Sequence, residues 1–470
     1  MDDIESAPAR ISFLGFLAVI AVIWYLFLWV LSIIGCITGR KHFRLRPRSP
    51  LSSAPAANVP GVSILRPLKG LETNLFENLE STFTQEYPRS RFEVLLSVAD
   101  ADDQALSVVR SLLEKYPDVD ARVIIGEEVV GVNPKVNNLM RPYKEAKHDI
   151  LWVLDSNIQV APGTLARSVD ALVQPPKSGK RRIGLVHHVP FAFASEHLLG
   201  SRVEEAFLNT NHAKMYLAIN RVAVDSCVIG KSCMYRRSDV ERLTAELKPQ
   251  PSPETTAEST PQDDGKAKGL AAFGRFLAED NMIGSALWHE LGLRHALGCD
   301  VARNSVGRMP LQSYISRRVR WIRVRKRMVT AATLVEPFTE CIVLSLLATW
   351  AAHHLWKVPR VVVLLLHYCA WIALDLDVYD SLAGHYLPVE KRWGFLLAWA
   401  VRELLAAPIW VLGMAGNEVD WRGRKYRILR NGETERAPSR RSWLSSLFEG
   451  RKKDGYEQLD QEAVPLEQQA

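Results

Sequence analysis

Cysteine is scarce in this sequence, with six residues in a chain of 470. A scaffold built on disulfides needs a much higher density of cysteine, so that class of protein is excluded. A strong charge of one sign is also lacking, because 59 Lys and Arg residues face 52 Asp and Glu residues and leave a net charge of +7. So small an excess is weak evidence for a nucleic-acid partner, and we expect none. The hydrophobic fraction of 47% excludes a chain that is disordered or fibrous throughout.

Charged side chains are absent between Ile11 and Ile37, a stretch of 27 residues. As a helix it would extend roughly 40 Å at ~1.5 Å per residue, enough to cross a hydrocarbon layer of ~30 Å. A cleaved signal peptide has a basic start and a shorter apolar core, whereas acidic residues precede this long stretch. The sequence therefore predicts an uncleaved membrane anchor over residues 1–39.

Basic residues cluster on one side of this anchor. Five of them lie between residues 40 and 48, whereas Arg10 is the only one that precedes the apolar stretch. Positive charge close to a membrane span is typical of the cytosolic side. We therefore expect the N-terminus outside and the domain that follows the anchor in the cytosol.

A second apolar zone lies at residues 331–418. Its uncharged stretches are Cys341–Trp356 and Val361–Leu374, and a third, Trp393–Asn417, is interrupted by one Arg-Glu pair. At 16 and 14 residues, the first two are short for independent spans. A tight hairpin, interfacial helices and buried soluble helices all remain open, although tryptophans at the ends of the stretches suit a membrane interface.

The tail, residues 419–470, begins with several arginines and lysines, and we expect it to be partly disordered, above all after Ala437. Its charge favours a cytosolic C-terminus. One N-terminal and three C-terminal crossings would place it outside, so the number of crossings remains open.

Between residues 60 and 330, short apolar runs alternate with helical patterns. The predicted strands are Val62–Leu65, Phe92–Val98, Ala121–Ile125 and Ile150–Leu154, and the predicted helices are Glu72–Gln85, Ala105–Lys115 and one that starts near Pro134. This alternation predicts an α/β domain with a mainly parallel, doubly wound sheet. Residues 49–60, rich in Pro, Ser and Ala, predict a linker, and the polar residues 247–269 predict a disordered insertion in the domain.

Acidic residues follow two of the predicted strands. Asp100, Asp102 and Asp103 come after the second, and Asp155 comes after the fourth, just before Asn157. Ligands of such sheets bind beyond the carboxyl ends of the strands. A carboxylate placed there can bind a ribose or hold a divalent cation on a diphosphate. It can equally cap a turn or a helix, since Asp is common at both.

These acids belong to a longer series. In chain order it reads Asp102-Asp103, Asp155-Ser156-Asn157, Glu279-Asp280 and Arg317-Arg-Val-Arg320-Trp321. The series resembles the D, D, D, (Q/R)xxRW pattern of family-2-type glycosyltransferases with a GT-A fold, and within that group the ceramide glucosyltransferase family. Further matches lie at 131–140, 184–187, 210–212, 227–233 and 350–354. The resemblance covers about residues 10–430.

The resemblance implies transfer of glucose from UDP-glucose to the primary hydroxyl of ceramide, with inversion, to give glucosylceramide. The expected partners are UDP-glucose, ceramide and membrane phospholipid. The expected location is the membrane of the Golgi or the endoplasmic reticulum, as a multi-pass protein whose GT-A domain (60–330) faces the cytosol.

The resemblance also implies roles for individual residues. Asp280 matches the third aspartate, which is the expected general base. Asp155 would bind a divalent cation, Mg²⁺ or Mn²⁺, that neutralises charge on the UDP leaving group. The second carboxylate of a full DxD motif is replaced by Asn157, so few protein ligands are expected for the metal.

Further residues are predicted to contact the substrates. Asp103 matches the first aspartate near the nucleotide, and Asp100 is a close rival for that role. Lys135, at the start of a predicted helix, is a candidate contact for an anion or nucleotide.

The Arg-Trp motif and one histidine complete the predicted site. Arg317 and Arg320 are three positions apart and would share a helix face from which both reach a diphosphate. Trp321 would line the acceptor site, and His212 is a candidate for the pocket wall. The basic residues 323–327 are expected on the lipid surface.

Two other functions fit parts of the sequence. A processive polysaccharide synthase of chitin or hyaluronan type shares the aspartates and the Arg-Trp motif, but it usually carries Gln at the position of Arg317 and more C-terminal spans. A membrane lipid-binding or scaffold protein without enzymatic activity would explain the apolar zones. It has no need for the ordered acidic motifs.

Overall fold

The computed structural model describes most of the chain. The described residues are 12–176, 178–194, 198–246, 267–421 and 423–437. The predicted disorder of the insertion and of the tail after Ala437 therefore falls almost entirely outside the described residues.

The described residues form 14 α-helices and 11 strands. The helices are α1 Phe13–Phe43, α2 Leu75–Phe83, α3 Ala105–Lys115, α4 Pro134–Glu145, α5 Thr164–Val173, α6 Leu199–Asn209, α7 Asn211–Val222, α8 Arg237–Val240, α9 Glu279–His289, α10 Leu311–Met328, α11 Thr330–Val335, α12 Cys341–Trp356, α13 Arg360–Ala383 and α14 Val389–Met414. The strands are β1 Val62–Pro67, β2 Phe92–Val98, β3 Ala121–Ile125, β4 Ile150–Leu154, β5 Ile158–Gln159, β6 Ile183–Ala194, β7 Ser232–Arg236, β8 Arg294–Val306, β9 Glu418–Trp421, β10 Arg424–Ile428 and β11 Thr434–Arg436.

Eight strands form the central sheet, in the order β3-β2-β1-β4-β7-β6-β8-β5. The four strands β3, β2, β1 and β4 are parallel to one another, whereas β7 runs antiparallel to both β4 and β6. The sheet is therefore mixed, with its parallel half where the sequence predicted it. The predicted α/β fold class is confirmed.

Helices cover both faces of the parallel half. Ile64 of β1 packs in a cluster with α2, α3 and α5, while its neighbour Leu65 packs with α4 and α9. Every residue of β1 and β2 is buried. Burial on both faces explains why these strands appear in the sequence as continuous apolar runs.

Three helices, α1, α13 and α14, are long and apolar enough to cross a membrane. The segment Thr330–Thr339 and α12 together also pass that test, with a bend of 66° between them. Large apolar side chains project from α1 into the surroundings, such as Phe13 (74% exposed) and Ile23 (62% exposed). The length and composition of these helices agree with the prediction of a membrane protein.

The predicted length of the second C-terminal apolar segment is wrong. The stretch Val361–Leu374, expected to be short for a span, is the first part of a 24-residue helix, α13. The helix continues through acidic residues because each of them has a partner. Asp375 pairs with Lys214 at 2.7 Å and accepts a hydrogen bond from Trp399, and Asp377 pairs with Arg40 at 2.8 Å.

Helix α7 of the α/β domain packs directly on α1. A Cβ atom at Gly35 of α1 would lie 2.2 Å from the carbonyl oxygen of Lys214, so this crossing requires glycine. The membrane anchor and the α/β domain therefore share one hydrophobic core, which also includes Trp371 of α13 and Trp399 of α14.

The beginning of the tail is ordered, which the sequence did not predict. Strands β9, β10 and β11 form a separate antiparallel sheet, here named the cap sheet (418–436). Val419, Tyr426 and Ile428 are buried on one face of it, each at most 3% exposed. The many charged residues between them obscured this alternation in the sequence.

Candidate active site

A cluster of charged side chains lies at the carboxyl edge of the parallel strands. Asp155 follows β4 directly, and each of its carboxylate oxygens faces a lysine. Lys135 Nζ lies 2.7 Å from Oδ1 of Asp155, and Lys231 Nζ lies 3.1 Å from Oδ2. Lys231 also donates to Asn157 Oδ1 at 3.1 Å. Asp155 is thus held between two ammonium groups.

Helix α4 aims Lys135 at this cluster. Asn133 caps the helix by accepting hydrogen bonds from the backbone N–H groups of Lys135 and Val136, and Pro134 occupies the first helical position. Lys135 Nζ also lies 2.8 Å from Oε1 of Glu279. The side-chain amide of Asn133 donates to Oε2 of Glu279 at 2.8 Å. One lysine therefore links the end of β4 to the start of α9.

Asp280 lies in the first turn of α9, next to Glu279. Its Oδ1 accepts a hydrogen bond from the backbone N–H of Asn281 at 2.7 Å. Its carboxylate faces Gly230, where an added Cβ would lie 1.6 Å from Oδ2. Lys135, Lys231, Glu279 and Asp280 line one cavity, whose apolar wall includes Leu185.

The pKa values in the cluster diverge. Burial raises the pKa of Asp280 to about 7, and the charge of Glu279 adds to this effect while that of Lys135 opposes it. Burial acts in the same sense on Asp155, but Lys135 and Lys231 hold its pKa well below the ordinary value. The pKa of Lys135 is raised well above its ordinary value by Asp155 and Glu279, although burial opposes this. Near neutral pH, Asp280 is the carboxylate of the cluster suited to take up a proton.

Lys231 and Glu279 were missed as direct participants by the sequence reasoning. Lys231 has a φ of +93°, outside the range that a lysine usually adopts. Backbone strain of this kind persists where the surrounding structure imposes it, and it is frequent at functional sites. Gly230, directly before Lys231, was the available sequence signal for a turn before β7, but it did not indicate that Lys231 contacts Asp155.

The structure places Asp103 and Asp100 at the turn that follows β2. Both carboxylate oxygens of Asp103 accept a hydrogen bond from Gly70 N–H, at 2.9 and 3.1 Å, and Oδ1 also accepts one from Ala105 N–H. Asp103 thus joins the loop after β1 to the start of α3. Asp100 is exposed.

The Arg-Trp motif lies on α10. Arg317 Nε is 3.3 Å from a carboxylate oxygen of Glu204, and its guanidinium lies over the ring of Trp321. Arg320 donates to the carbonyl oxygen of Asp420 in the cap sheet at 3.4 Å. Arg317 therefore contacts α6 and Arg320 contacts β9, so the two guanidinium groups have partners on different elements.

The basic residues that follow the motif also bind protein. Arg323 donates to the carbonyl oxygens of Glu418 and Leu412, and Lys326 donates to those of Gly413 and Met414. These contacts differ from the expectation that residues 323–327 face lipid.

His212 lies on α7, with its ring between those of Phe207 and Tyr216 at centroid distances of 5.0 and 6.0 Å. Burial, together with the charge of Arg318, lowers its pKa to about 3. The imidazole is therefore neutral near pH 7. Tyr216 also accepts a hydrogen bond from the backbone N–H of Ile229, next to Gly230.

The oxygen donors around Asp155 determine whether a divalent cation fits the site. Within the described ranges, no three His, Cys, Asp or Glu side chains converge as a ready-made metal cage. Mg²⁺ needs only one or two carboxylates when phosphate oxygens and water complete its shell. Asp155, with Asn157 beside it, fits a cation held jointly with a diphosphate.

A family model and several known proteins match most of this chain in sequence. The family model described as glycosyl transferase family 21 matches residues 27–244 and 265–434. A ceramide glucosyltransferase of Komagataella phaffii is 35% identical, with 88% of this chain and 91% of that protein covered. A ceramide glucosyltransferase of Candida albicans is 33% identical, with 87% and 95% covered.

Two solved structures share less sequence identity with this chain than these relatives do. A mannosyltransferase from Pyrobaculum calidifontis, in complex with GDP-Man and Mn²⁺, has a TM-score of 0.43 at 18% identity and covers 83% of this chain and 99% of its own. Glucosyl-3-phosphoglycerate synthase from Mycobacterium tuberculosis, in complex with Mn²⁺, UDP and phosphoglyceric acid, has a TM-score of 0.36 at 17% identity, with 61% and 84% covered.

Proposed function

The chain belongs to glycosyl transferase family 21, and on this premise we propose that it transfers glucose from UDP-glucose to the primary hydroxyl of ceramide with inversion. The predicted ceramide glucosyltransferase family is confirmed. The single observation that carries the mechanism is the buried carboxylate of Asp280, whose pKa burial raises to about 7, in a cavity that the ammonium groups of Lys135 and Lys231 also line. Inversion needs one such base and no protein nucleophile.

The chemistry follows from the roles of these groups. Asp280 takes the proton of the ceramide hydroxyl as that oxygen attacks the anomeric carbon of glucose, and the bond from this carbon to the UDP oxygen breaks on the opposite face. One C–O bond forms and one breaks, and the electron pair leaves with UDP. The hydrogen bond from Asn281 N–H orients the carboxylate without protonating it.

Charge develops on the diphosphate as UDP leaves. Lys135 and Lys231 can turn from Asp155 to the phosphate oxygens and stabilise that charge. Asp155 would then hold a divalent cation, Mg²⁺ or Mn²⁺, which supplies further neutralisation when bound. Asp155, with Asn157 beside it, would be the protein group that holds this cation once the two lysines contact the phosphate oxygens.

The remaining predicted contacts are part of the same proposal. Asp100 and Asp103 lie at the carboxyl edge of β2, where the nucleotide of such folds binds. Arg317, Arg320 and Trp321 lie on α10, and His212 lies one helical turn before Tyr216, whose hydroxyl contacts the loop at Gly230. Helix α10 approaches the segments that carry the charged cluster at Val324, which packs with Val132 and Leu277.

We also propose how the chain is arranged in the membrane. Helices α1 and α13 run in the same direction, because Tyr25 contacts His367 and, further along, Arg40 contacts Asp377. Since α1 leads into the α/β domain, α13 ends on the side of that domain and begins on the other side. The bent segment that ends with α12 must then cross before it.

Helix α14 lies along the membrane surface in this arrangement. Near its start, Gly394 approaches Arg202 of α6, and at its end Met414 accepts a hydrogen bond from Lys326 of α10. Both ends therefore contact elements of the α/β domain. The cap sheet that follows lies on the same side as the domain, which agrees with a basic, cytosolic tail. We propose contact with phospholipid around the membrane-spanning helices, and a Golgi or endoplasmic reticulum location as the family resemblance implies.

Purified protein in detergent with UDP-glucose and ceramide tests the proposed function. We expect one glucose per lipid and release of UDP. A polymeric product would favour the polysaccharide synthase, and no turnover in a folded protein would favour the lipid-binding alternative. Other UDP-sugars and other lipid alcohols serve as controls for the identity of donor and acceptor.

A further inference from the structure

The cap sheet is attached to the part of the domain that carries the charged cluster. Its buried residues Val419, Tyr426 and Ile428 form a hydrophobic cluster with Val132 and Leu277 of the α/β domain, as well as with Val324 of α10. Tyr426 is 1% exposed and is paired with Val419 on the neighbouring strand. The sheet is therefore docked by an apolar face.

The two domain residues in this contact are close in sequence to the active-site side chains. Val132 precedes Asn133, which caps α4 and binds Glu279. Leu277 lies two residues before Glu279 and three before Asp280. The cap sheet thus contacts both chain segments that aim Lys135 and Asp280 into the site.

These two segments are themselves held together closely. A Cβ atom at Gly131 would lie 2.3 Å from the carbonyl carbon of Gly274, and Asn133 N–H donates to the carbonyl oxygen of Gly274 at 2.9 Å. A shift of either segment would therefore move the other. The cap sheet packs across both of them.

Polar contacts fix the cap sheet at its edges. Arg320 donates to the carbonyl oxygen of Asp420 at 3.4 Å, and Arg323 donates to that of Glu418 at 2.6 Å. On the opposite side, Arg275 pairs with Glu433 at 3.3 Å. The second arginine of the Arg-Trp motif is thus one of the groups that hold this sheet.

We propose that the cap sheet is a positioning element of the active site, which holds Lys135 and Asp280 in their catalytic arrangement through Val132 and Leu277. This inference deepens the proposed function and rests on it. Tyr426 and Ile428 are positioning residues, since they act through the segments they pack on. Displacing a catalytic group by about 1 Å can cost roughly 10²-fold in rate, so a small shift of these segments is sufficient.

Neighbouring positions of β10 provide a matched test. Tyr426→Ser and the double variant Tyr426→Ser/Ile428→Ser remove apolar side chains from the docked face, whereas Lys425→Ser changes the exposed face of the same strand. Tyr426→Phe keeps the ring and serves as the conservative variant. All four are made in the full chain and compared with the parent protein by protease sensitivity near residue 418, melting temperature and kinetics.

We expect the two docked-face variants to become sensitive to protease near the cap sheet while they keep the melting temperature of the parent. Their kcat should fall about tenfold and their KM for UDP-glucose should rise, with the KM for ceramide within twofold. Lys425→Ser and Tyr426→Phe should match the parent. A loss of folded protein alone would not produce this division between the two KM values.

Two results would overturn the inference. One is a protease-sensitive double variant whose kcat and KM values equal those of Lys425→Ser. The other is a double variant that is neither protease-sensitive nor changed in rate, since the apolar face would then not hold the sheet. An inactive parent protein would instead refute the proposed function, so the two failures are distinguishable.

Discussion

At the scale of single residues, the candidate site contains two carboxylates whose pKa values are shifted in opposite directions. Asp155 is held ionised by Lys135 and Lys231, whereas burial and Glu279 make Asp280 harder to ionise. Pairs of this kind identify which group stays charged and which group exchanges a proton. The sequence placed both aspartates in the site through the motif series. The sequence could not give the direction in which their pKa values shift, because these shifts depend on burial and on the charge of Lys231.

The pH dependence of turnover is the first prediction. Asp280 accepts a proton only when it is deprotonated, and burial raises its pKa to about 7. Turnover should therefore rise with pH through an apparent pKa near 7 and be lost below it. In Glu279→Gln a nearby negative charge is removed, so the acidic limb of kcat/KM should move to lower pH. If the acidic limb of the pH profile of Glu279→Gln coincided with that of the parent, the charge of Glu279 would not contribute to the raised pKa of Asp280.

A second prediction concerns Lys231. Removal of its charge in Lys231→Met should lower kcat/KM for UDP-glucose by about 10²-fold, the usual effect of losing one donor to a developing anion. Lys231→Arg keeps the charge and should retain most activity. Lys231→Gly relieves the strained backbone but lacks the charge, so it should behave like the Met variant. If Lys231→Gly were as active as the parent, the lysine would serve the turn and not the diphosphate.

At the scale of elements, the strands of the parallel half were predictable because burial on both faces leaves a continuous apolar run. The length of α13 was not predictable. Its charges at Asp375 and Asp377 are compatible with the helix only through partners on other elements, Lys214 and Arg40. The cap sheet was missed for a related reason, since its three buried residues are separated by charged ones.

The pair of Lys214 and Asp375 gives a third prediction. Both side chains are at most 2% exposed. Lys214→Met leaves the buried carboxylate of Asp375 without its cationic partner, although Trp399 still donates a hydrogen bond to it, and such a loss typically costs about 3–5 kcal/mol. The melting temperature in detergent should fall clearly, whereas Lys115→Met, which breaks an exposed pair with Glu80, should leave the melting temperature nearly unchanged. Equal effects of the two substitutions would show that the buried pair does not join α7 to α13.

At the scale of the whole molecule, the chain forms a membrane-embedded core joined to an α/β domain, with a cap sheet that returns to that domain. Composition indicated the apolar zones, but the number of crossings remained open in the sequence. The contact of the cap sheet with Val132 and Leu277 requires an even number of crossings between the domain and the sheet.

Cysteine accessibility tests this arrangement as a fourth prediction. Arg360 lies at the start of α13, and Tyr386 lies in the turn between α13 and α14, where it is 77% exposed. In sealed vesicles with the cytosolic face outward, Tyr386→Cys should react with a membrane-impermeant maleimide. Arg360→Cys should react only after the vesicles are opened, measured over the background of the parent protein. The reverse pattern would exclude the proposed orientation.

The proposed base is tested most directly with Asp280→Asn. The amide has the shape of the carboxylate but cannot take a proton, so kcat should fall by at least about 10²-fold. Binding of UDP-glucose, measured by calorimetry on the same preparation, should stay within about threefold of the parent, because Lys135 and Lys231 remain in place. A variant that binds UDP-glucose and still glucosylates ceramide at the rate of the parent would contradict the assignment of Asp280 as the base.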